Sequence, residues 1–222
     1  VSVFLTSPLL TYYSFNFIAD VPALCIGIIS YCFFLRFYHG KEIRFFFISL
    51  LLGLLAVLIK ASALIGLSVL VFFSLIDLFN LNRVFKTEKL FEKKLNYLLL
   101  ILLAIGLIIS WYSFALAYNG NNSNHIFLLT VLPFWEMDRS QVIYHSKMLF
   151  NNLFPLFLNK AMLFLFVSMF IFVIAKFKRL SSFLKYSFIF SALFFVFYLL
   201  FFFQVFSVHD YYLNNLMIFP II

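Results

Sequence analysis

The chain has 222 residues, 65% of them hydrophobic and 23% aromatic, with 11% charged and a mean hydropathy of +1.10. A soluble domain carries charge on about a quarter of its residues, so this composition excludes one, and thirty-six Phe against six Gly and five Pro exclude disorder. The net charge of +8 falls in clusters between apolar runs rather than in one stripe, as membrane topology signals do and a nucleic-acid surface does not.

In chain order the apolar runs are a partial one at Val1–Leu10, then Val21–Tyr38, Phe45–Ile59, Ala61–Ile76, Tyr97–Tyr118, Ala161–Ala175 and Tyr186–Phe206, and a second partial run at Leu213–Ile222. A membrane helix needs about 20 apolar residues. The expected fold is therefore an all-α polytopic membrane protein with six complete transmembrane helices and partial helices at both ends. Both ends fall inside apolar runs, and the chain is expected to be a fragment of one transmembrane domain. No cleavable signal peptide is visible.

The stretch Phe45–Ile76 is interrupted only by Lys60. Charge decides whether it crosses once or twice. Arg36–Arg44 holds three basic residues, Arg83–Lys94 five and Lys176–Lys185 four. These clusters share a side only if the stretch crosses twice, with a tight turn at Lys60. Lys60, Arg139, Lys147 and Lys160 then lie opposite, a positive-inside bias. Asp20, Lys60, the loop 119–160 and the turn Ser207–Tyr212 are expected on the extracytoplasmic side of a cell membrane, which is expected to be a bacterial inner membrane.

Each polar group there has a structural reading and a functional one. Asp20 stands before Val21 and Pro22, where it caps a helix start; it is also a carboxylate placed to orient a hydroxyl. Lys60 is either a snorkelling lysine or a cation set to meet a lipid phosphate. Ser62 and Gly66 form a small-xxx-small pair suited to helix packing. Trp135, Glu136, Asp138 and Arg139 suit a sugar, or an interfacial belt with solvated charges. His209, Asp210, Tyr211 and Tyr212 offer groups that move a proton or hold a divalent cation, or Tyr anchors at the interface. Cys25 and Cys32 lie seven apart on one helix, too far to bridge. Asn121-Asn122-Ser123 matches a glycosylation sequon of low specificity.

No P-loop, dinucleotide fingerprint, CxxC pair, HExxH or GxSxG occurs, and the short inner loops leave no room for a nucleotide-binding domain. No cofactor is demanded by any motif; a divalent metal accompanying a phosphate is the one these residues admit. Alternatives of other classes are a secondary transporter or lipid flippase, a lipid-linked polysaccharide polymerase or ligase, and a non-catalytic assembly subunit.

The succession "TSPLLTYYSFNFIADVPALCIGIISYCFF", "ISLLLGLLAVLIKASALIGL", "IISWYSFALAYNG" and "VHDYYLNNLMIFP" resembles the GT-C membrane glycosyltransferases of the protein-mannosyltransferase and aminoarabinose-transferase type. The places of that family's acid-Pro helix start, lysine after a Gly-bearing helix, Trp-Tyr pair and His/Tyr-rich turn are taken by Asp20, Lys60, Trp111-Tyr112 and His209-Tyr211-Tyr212. The Trp-Tyr pair departs from the pattern by preceding the last turns of its helix. The resemblance implies transfer of a sugar from a polyprenyl-phosphate carrier in the bilayer to a glycan, lipid or protein acceptor, with no nucleic acid involved. It also implies that the main catalytic acid sits in an outer loop upstream of this stretch, so Asp20 is expected to shape the cavity rather than act as the base. Lys60 and the His209–Tyr212 turn are implied contacts of the carrier phosphate.

Overall fold

A computed structural model describes residues 8–15, 18–92, 94–121, 133–153, 155, 160–207 and 214. All regular structure among the described residues is helical. The α-helices are α1 (Pro8–Ser14), α2 (Asp20–Gly40), α3 (Ile43–Ile59), α4 (Leu64–Leu78), α5 (Asn82–Phe85), α6 (Lys94–Asn121), α7 (Arg139–Met148), α8 (Lys160–Ala175) and α9 (Ser182–Phe201).

Among the described residues four segments are long and apolar enough to cross a membrane: α2, Ala61–Leu78 (α4 with the 3-10 turn before it), α6 and α9. The expectation of six complete helices is corrected on this point. Helix α3 has 17 residues and rises about 25 Å, short of a hydrocarbon core of about 30 Å. The apolar part of α8, Leu163–Ala175, is shorter still. The last complete run is also shifted: α9 starts at Ser182, behind a Ser181 hydroxyl that accepts from Leu184 N, and ends at Phe201 rather than Phe206. The terminal runs lie outside the described residues apart from 8–10 and 214.

Two compact units divide the chain, residues 26–131 and residues 1–25 with 132–222. In the first, α3 and α4 pack as a helical hairpin, and α6 packs on both. A close approach uses Gly53, where an added Cβ would meet Leu67 Cδ1 at 2.8 Å and Ser30 Oγ at 3.0 Å. Beside it Ser30 of α2 and Ser49 of α3 exchange hydroxyl-to-carbonyl bonds, 2.7 Å each way. Phe34, Phe37, Phe46 and Phe73 are fully buried in this unit. Phe91 stacks on Tyr97 with ring centroids 4.3 Å apart and meets the edge of Phe46 at 5.1 Å.

Asp77, buried near the end of α4, accepts from Leu90 N at 3.0 Å and Phe91 N at 2.8 Å through Oδ2. Lys94 stands in the first turn of α6, where a cation opposes the helix dipole. Its ammonium turns instead to the end of α4, bonding Asp77 O and Asn80 Oδ1, and pairs with Asp77 Oδ1 at 3.6 Å. A cation is favourable there. The α4–α6 connection is thus folded back onto the bundle.

In the second unit, Phe170 of α8 meets Phe188 of α9, with centroids 5.5 Å apart. Ser191 donates to Ser187 O one turn earlier. The expected loop 119–160 is not loop throughout: α6 runs on to Asn121, and α7 followed by a π-turn at Leu149–Leu153 occupies its later part.

Candidate functional site

The break at Lys60 has no Gly or Pro to cause it; "AVLIKASALIGL" is made of residues that tolerate helix. Unbroken, Ile43 to Leu78 would run about 54 Å, far beyond a bilayer core. Lys60 adopts an extended backbone (φ −150°, ψ 125°), its N–H closes α3 on Ala56 O at 2.9 Å, and its carbonyl accepts from Ala63 N at 3.0 Å. Ending a helix strands its last carbonyls. One of them, Val57 O, accepts from the hydroxyl of Tyr112 on α6 at 2.7 Å. Tyr112 thereby supports the break from a neighbouring helix, and Trp111 stands beside it, 37% exposed. Ser62, two residues past Lys60, is buried, and its hydroxyl has no hydrogen-bond partner among the described residues. Lys60 itself is half-buried.

The opposite end of this unit is set by the ion pair Lys41–Glu88, 2.7 Å long. It brings the connection after α2 and the connection before α6 to one end, while the hairpin carries Lys60 to the other. Lys41 holds the Glu88 carboxyl below its ordinary range, by hydrogen bond first and by charge second.

Asp20 lies inside the first turn of α2 rather than ahead of it, since Ala19 O accepts the first helical bond, from Ala23 N at 3.1 Å. It is 1% exposed, and its negative charge suits the positive end of the helix dipole. Asp20 and Lys60 belong to different units.

Trp135 and Glu136 sit in a 3-10 turn, Phe134–Glu136. Trp135, Glu136, Asp138 and Arg139 form one exposed stretch. The Trp135 ring meets the edge of Phe201 at 5.0 Å. Asp138 is the N-cap of α7 in a full capping box: its Oδ1 accepts from Gln141 N at 2.8 Å and Ser140 Oγ at 2.7 Å, while its own N–H donates to Gln141 Oε1. The Gln141 and Ser140 bonds hold its carboxyl below the usual range. On the inner face of α7 His145 is buried, and burial pushes its imidazole down, toward the neutral form. His209, Asp210, Tyr211 and Tyr212 lie outside the described residues. Among the described residues no three His, Cys, Asp or Glu side chains gather as metal ligands.

Sequence reasoning missed the Tyr112–Val57 bond and the Asp77–Lys94 clamp. The "DRSQ" of Asp138–Gln141 carried a readable capping signal for α7.

Large apolar side chains stay exposed along the helices, among them Leu103, Ile109, Phe114 and Leu116 on α6 and Phe164, Met169 and Phe172 on α8. Water would not tolerate so wide an apolar surface, whereas lipid suits it. The class is thus an all-α membrane protein. No known protein family, curated protein or solved structure matches the chain.

Proposed function

We propose that the chain is part of a membrane glycosyltransferase that moves a sugar from a polyprenyl-phosphate carrier to a glycan, lipid or protein acceptor. The observation that supports this reading is the break at Lys60: a lysine placed between two apolar helices, at the end of its unit away from Lys41 and Glu88. A carrier's polyprenyl tail partitions between helices while its phosphate stays at the bilayer boundary, where Lys60 is positioned to meet it. In this reading Lys60 lies on the extracytoplasmic face of a bacterial inner membrane.

The acceptor hydroxyl attacks the anomeric carbon, a carboxylate takes its proton, and the anomeric carbon–oxygen bond to phosphate breaks. Polyprenyl phosphate leaves with the bonding electrons, and the Lys60 ammonium stabilises the growing charge.

The test is transfer from a labelled polyprenyl-phosphate sugar by the full-length protein in proteoliposomes. Lys60→Ala is expected to lower turnover by about 100-fold or more. Transfer unchanged in Lys60→Ala would remove the phosphate site. Solute movement across a sealed vesicle without bond formation would replace the reading with a transporter.

A further inference from the structure

The α4–α6 connection is a built surface rather than a slack loop. From the inside it is held by the Asp77 carboxylate on the N–H groups of Leu90 and Phe91, and by the Phe85 ring against Phe72, 5.8 Å between centroids. Asn82 Nδ2 donates to Glu88 O at 2.8 Å and fastens its two limbs together. Asn80 and Lys86 take left-handed backbone conformations, φ 58° and 51°, that turn the chain sharply on either side of α5.

What this frame presents outward is both apolar and cationic. Phe79 is 65% exposed and Val84 71%, with Leu81 also exposed. Arg83, Lys86 and Lys89 are exposed between and beside them, and none makes an ion pair among the described residues. Of the neighbouring acids, Glu88 is engaged by Lys41 and Asp77 by Lys94, leaving Glu92 at the far limit of the surface. The position is equally specific. The segment directly follows Ala61–Leu78 and directly precedes Lys94–Asn121, both long enough to span a bilayer. It therefore lies at headgroup depth, where an apolar side chain and a phosphate-binding cation are satisfied together.

We propose that residues 79–89 form an anionic-phospholipid site, in which Phe79, Leu81 and Val84 enter the headgroup layer and Arg83, Lys86 and Lys89 hold the lipid phosphate. Exposed rings and branched side chains here gain by entering lipid, and three unpaired cations favour an anionic headgroup over a zwitterionic one. The site is independent of the transfer reaction and of which compartment this end faces.

The experiment uses the whole chain with Cys25→Ala and Cys32→Ala and an environment-sensitive fluorophore on Val84→Cys. It is reconstituted in mixed bilayers of phosphatidylcholine and phosphatidylglycerol, with one or the other brominated on its acyl chains. Brominated phosphatidylglycerol is expected to quench the probe with an apparent association constant about 5-fold or more above that of brominated phosphatidylcholine. Arg83→Gln, Lys86→Gln and Lys89→Gln together should bring that ratio close to one. Replacing Lys176, Lys178 and Arg179 by Gln, an equal loss of charge elsewhere, should leave it in place. A ratio near one in the starting protein overturns the proposal, as does a ratio that survives the first triple substitution or falls equally with the second. A probe that stays water-exposed in both lipids and is shielded only by added polyglutamate assigns the surface to an acidic polypeptide and also overturns it.

Discussion

Ser30 and Ser49 each donate a hydroxyl hydrogen to the other's main-chain carbonyl at 2.7 Å, locking α2 against α3 one turn from Gly53. Such bonds between apolar helices are worth about 0.6 kcal/mol on average, because the separated helices find other partners. Ser30→Ala and Ser49→Ala are each expected to cost about that much. Gly53→Ala is expected to cost more, about 1–3 kcal/mol, since its new Cβ meets both Leu67 Cδ1 and Ser30 Oγ. Ser30→Ala removes one of those two obstacles, so the pair should be less destabilising together than the sum of the singles. Denaturation in mixed micelles, run as a double-mutant cycle, measures the difference; strict additivity would show that the contact at Ser30 Oγ carries no strain.

The Lys41–Glu88 ion pair predicts an acid-sensitive tether. The Glu88 carboxyl is held below its ordinary range in the folded chain, so the contribution of the pair is complete above that ordinary range. It is lost as pH falls through the depressed folded value. Amide protection factors across residues 79–91, which take out the intrinsic pH dependence of exchange, should therefore fall on acidification in the native chain. In Glu88→Gln they should be lower at neutral pH and fall less on acidification. Identical pH profiles for the two proteins would show that the pair does not restrain this connection.

Much of this bundle was legible in the sequence, for physical reasons that can be named. Apolar runs bounded by charge gave α2, α3, α4, α6 and α9 their places, and a stretch too long for one crossing, together with charge parity, pointed to the hairpin at Lys60. Capping chemistry would have given α7 as well, but a reading tuned to hydrophobic period passes over "RSQVIYHSKM" as loop. Helix lengths were less accessible, since Ile59 and Ala175 end their helices without Gly or Pro. The candidate residues could be named one by one but not read as an assembly. Asp138 shows why: its carboxylate reads equally well as a sugar ligand and as a cap, and only the bonds from Gln141 and Ser140 reveal the cap.

Asp77 makes a sharper stability prediction than any surface charge. Its Oδ2 satisfies two buried N–H groups, and its Oδ1 faces the Lys94 ammonium. Asp77→Ala leaves both amides and a half-buried cation uncompensated and is expected to cost about 3–5 kcal/mol. Asp77→Asn keeps one acceptor oxygen and should cost distinctly less. Thermal melts in detergent order the two variants, and amide exchange at Leu90 and Phe91 locates the loss. Equal destabilisation by the two would mean that the ion pair, not the pair of N–H bonds, holds the connection.

Tyr112 links the fold to the proposed chemistry. Its hydroxyl satisfies Val57 O, a carbonyl stranded because the helix stops at Ile59, so removing it strikes the geometry of Lys60 without touching Lys60. Tyr112→Phe keeps the ring and its packing and loses only the hydrogen bond, a cost of about 1 kcal/mol in stability. If Lys60 holds a carrier phosphate, the same variant should weaken use of the donor while leaving acceptor dependence unchanged. Residual activity in Tyr112→Phe should still depend on Lys60, falling further when Lys60→Ala is added. The readout is the apparent KM for a labelled polyprenyl-phosphate sugar beside that for the acceptor, in proteoliposomes. An effect on the acceptor alone would detach Tyr112 from the carrier site. Loss of stability with both KM values unchanged would reduce it to a brace for the hairpin.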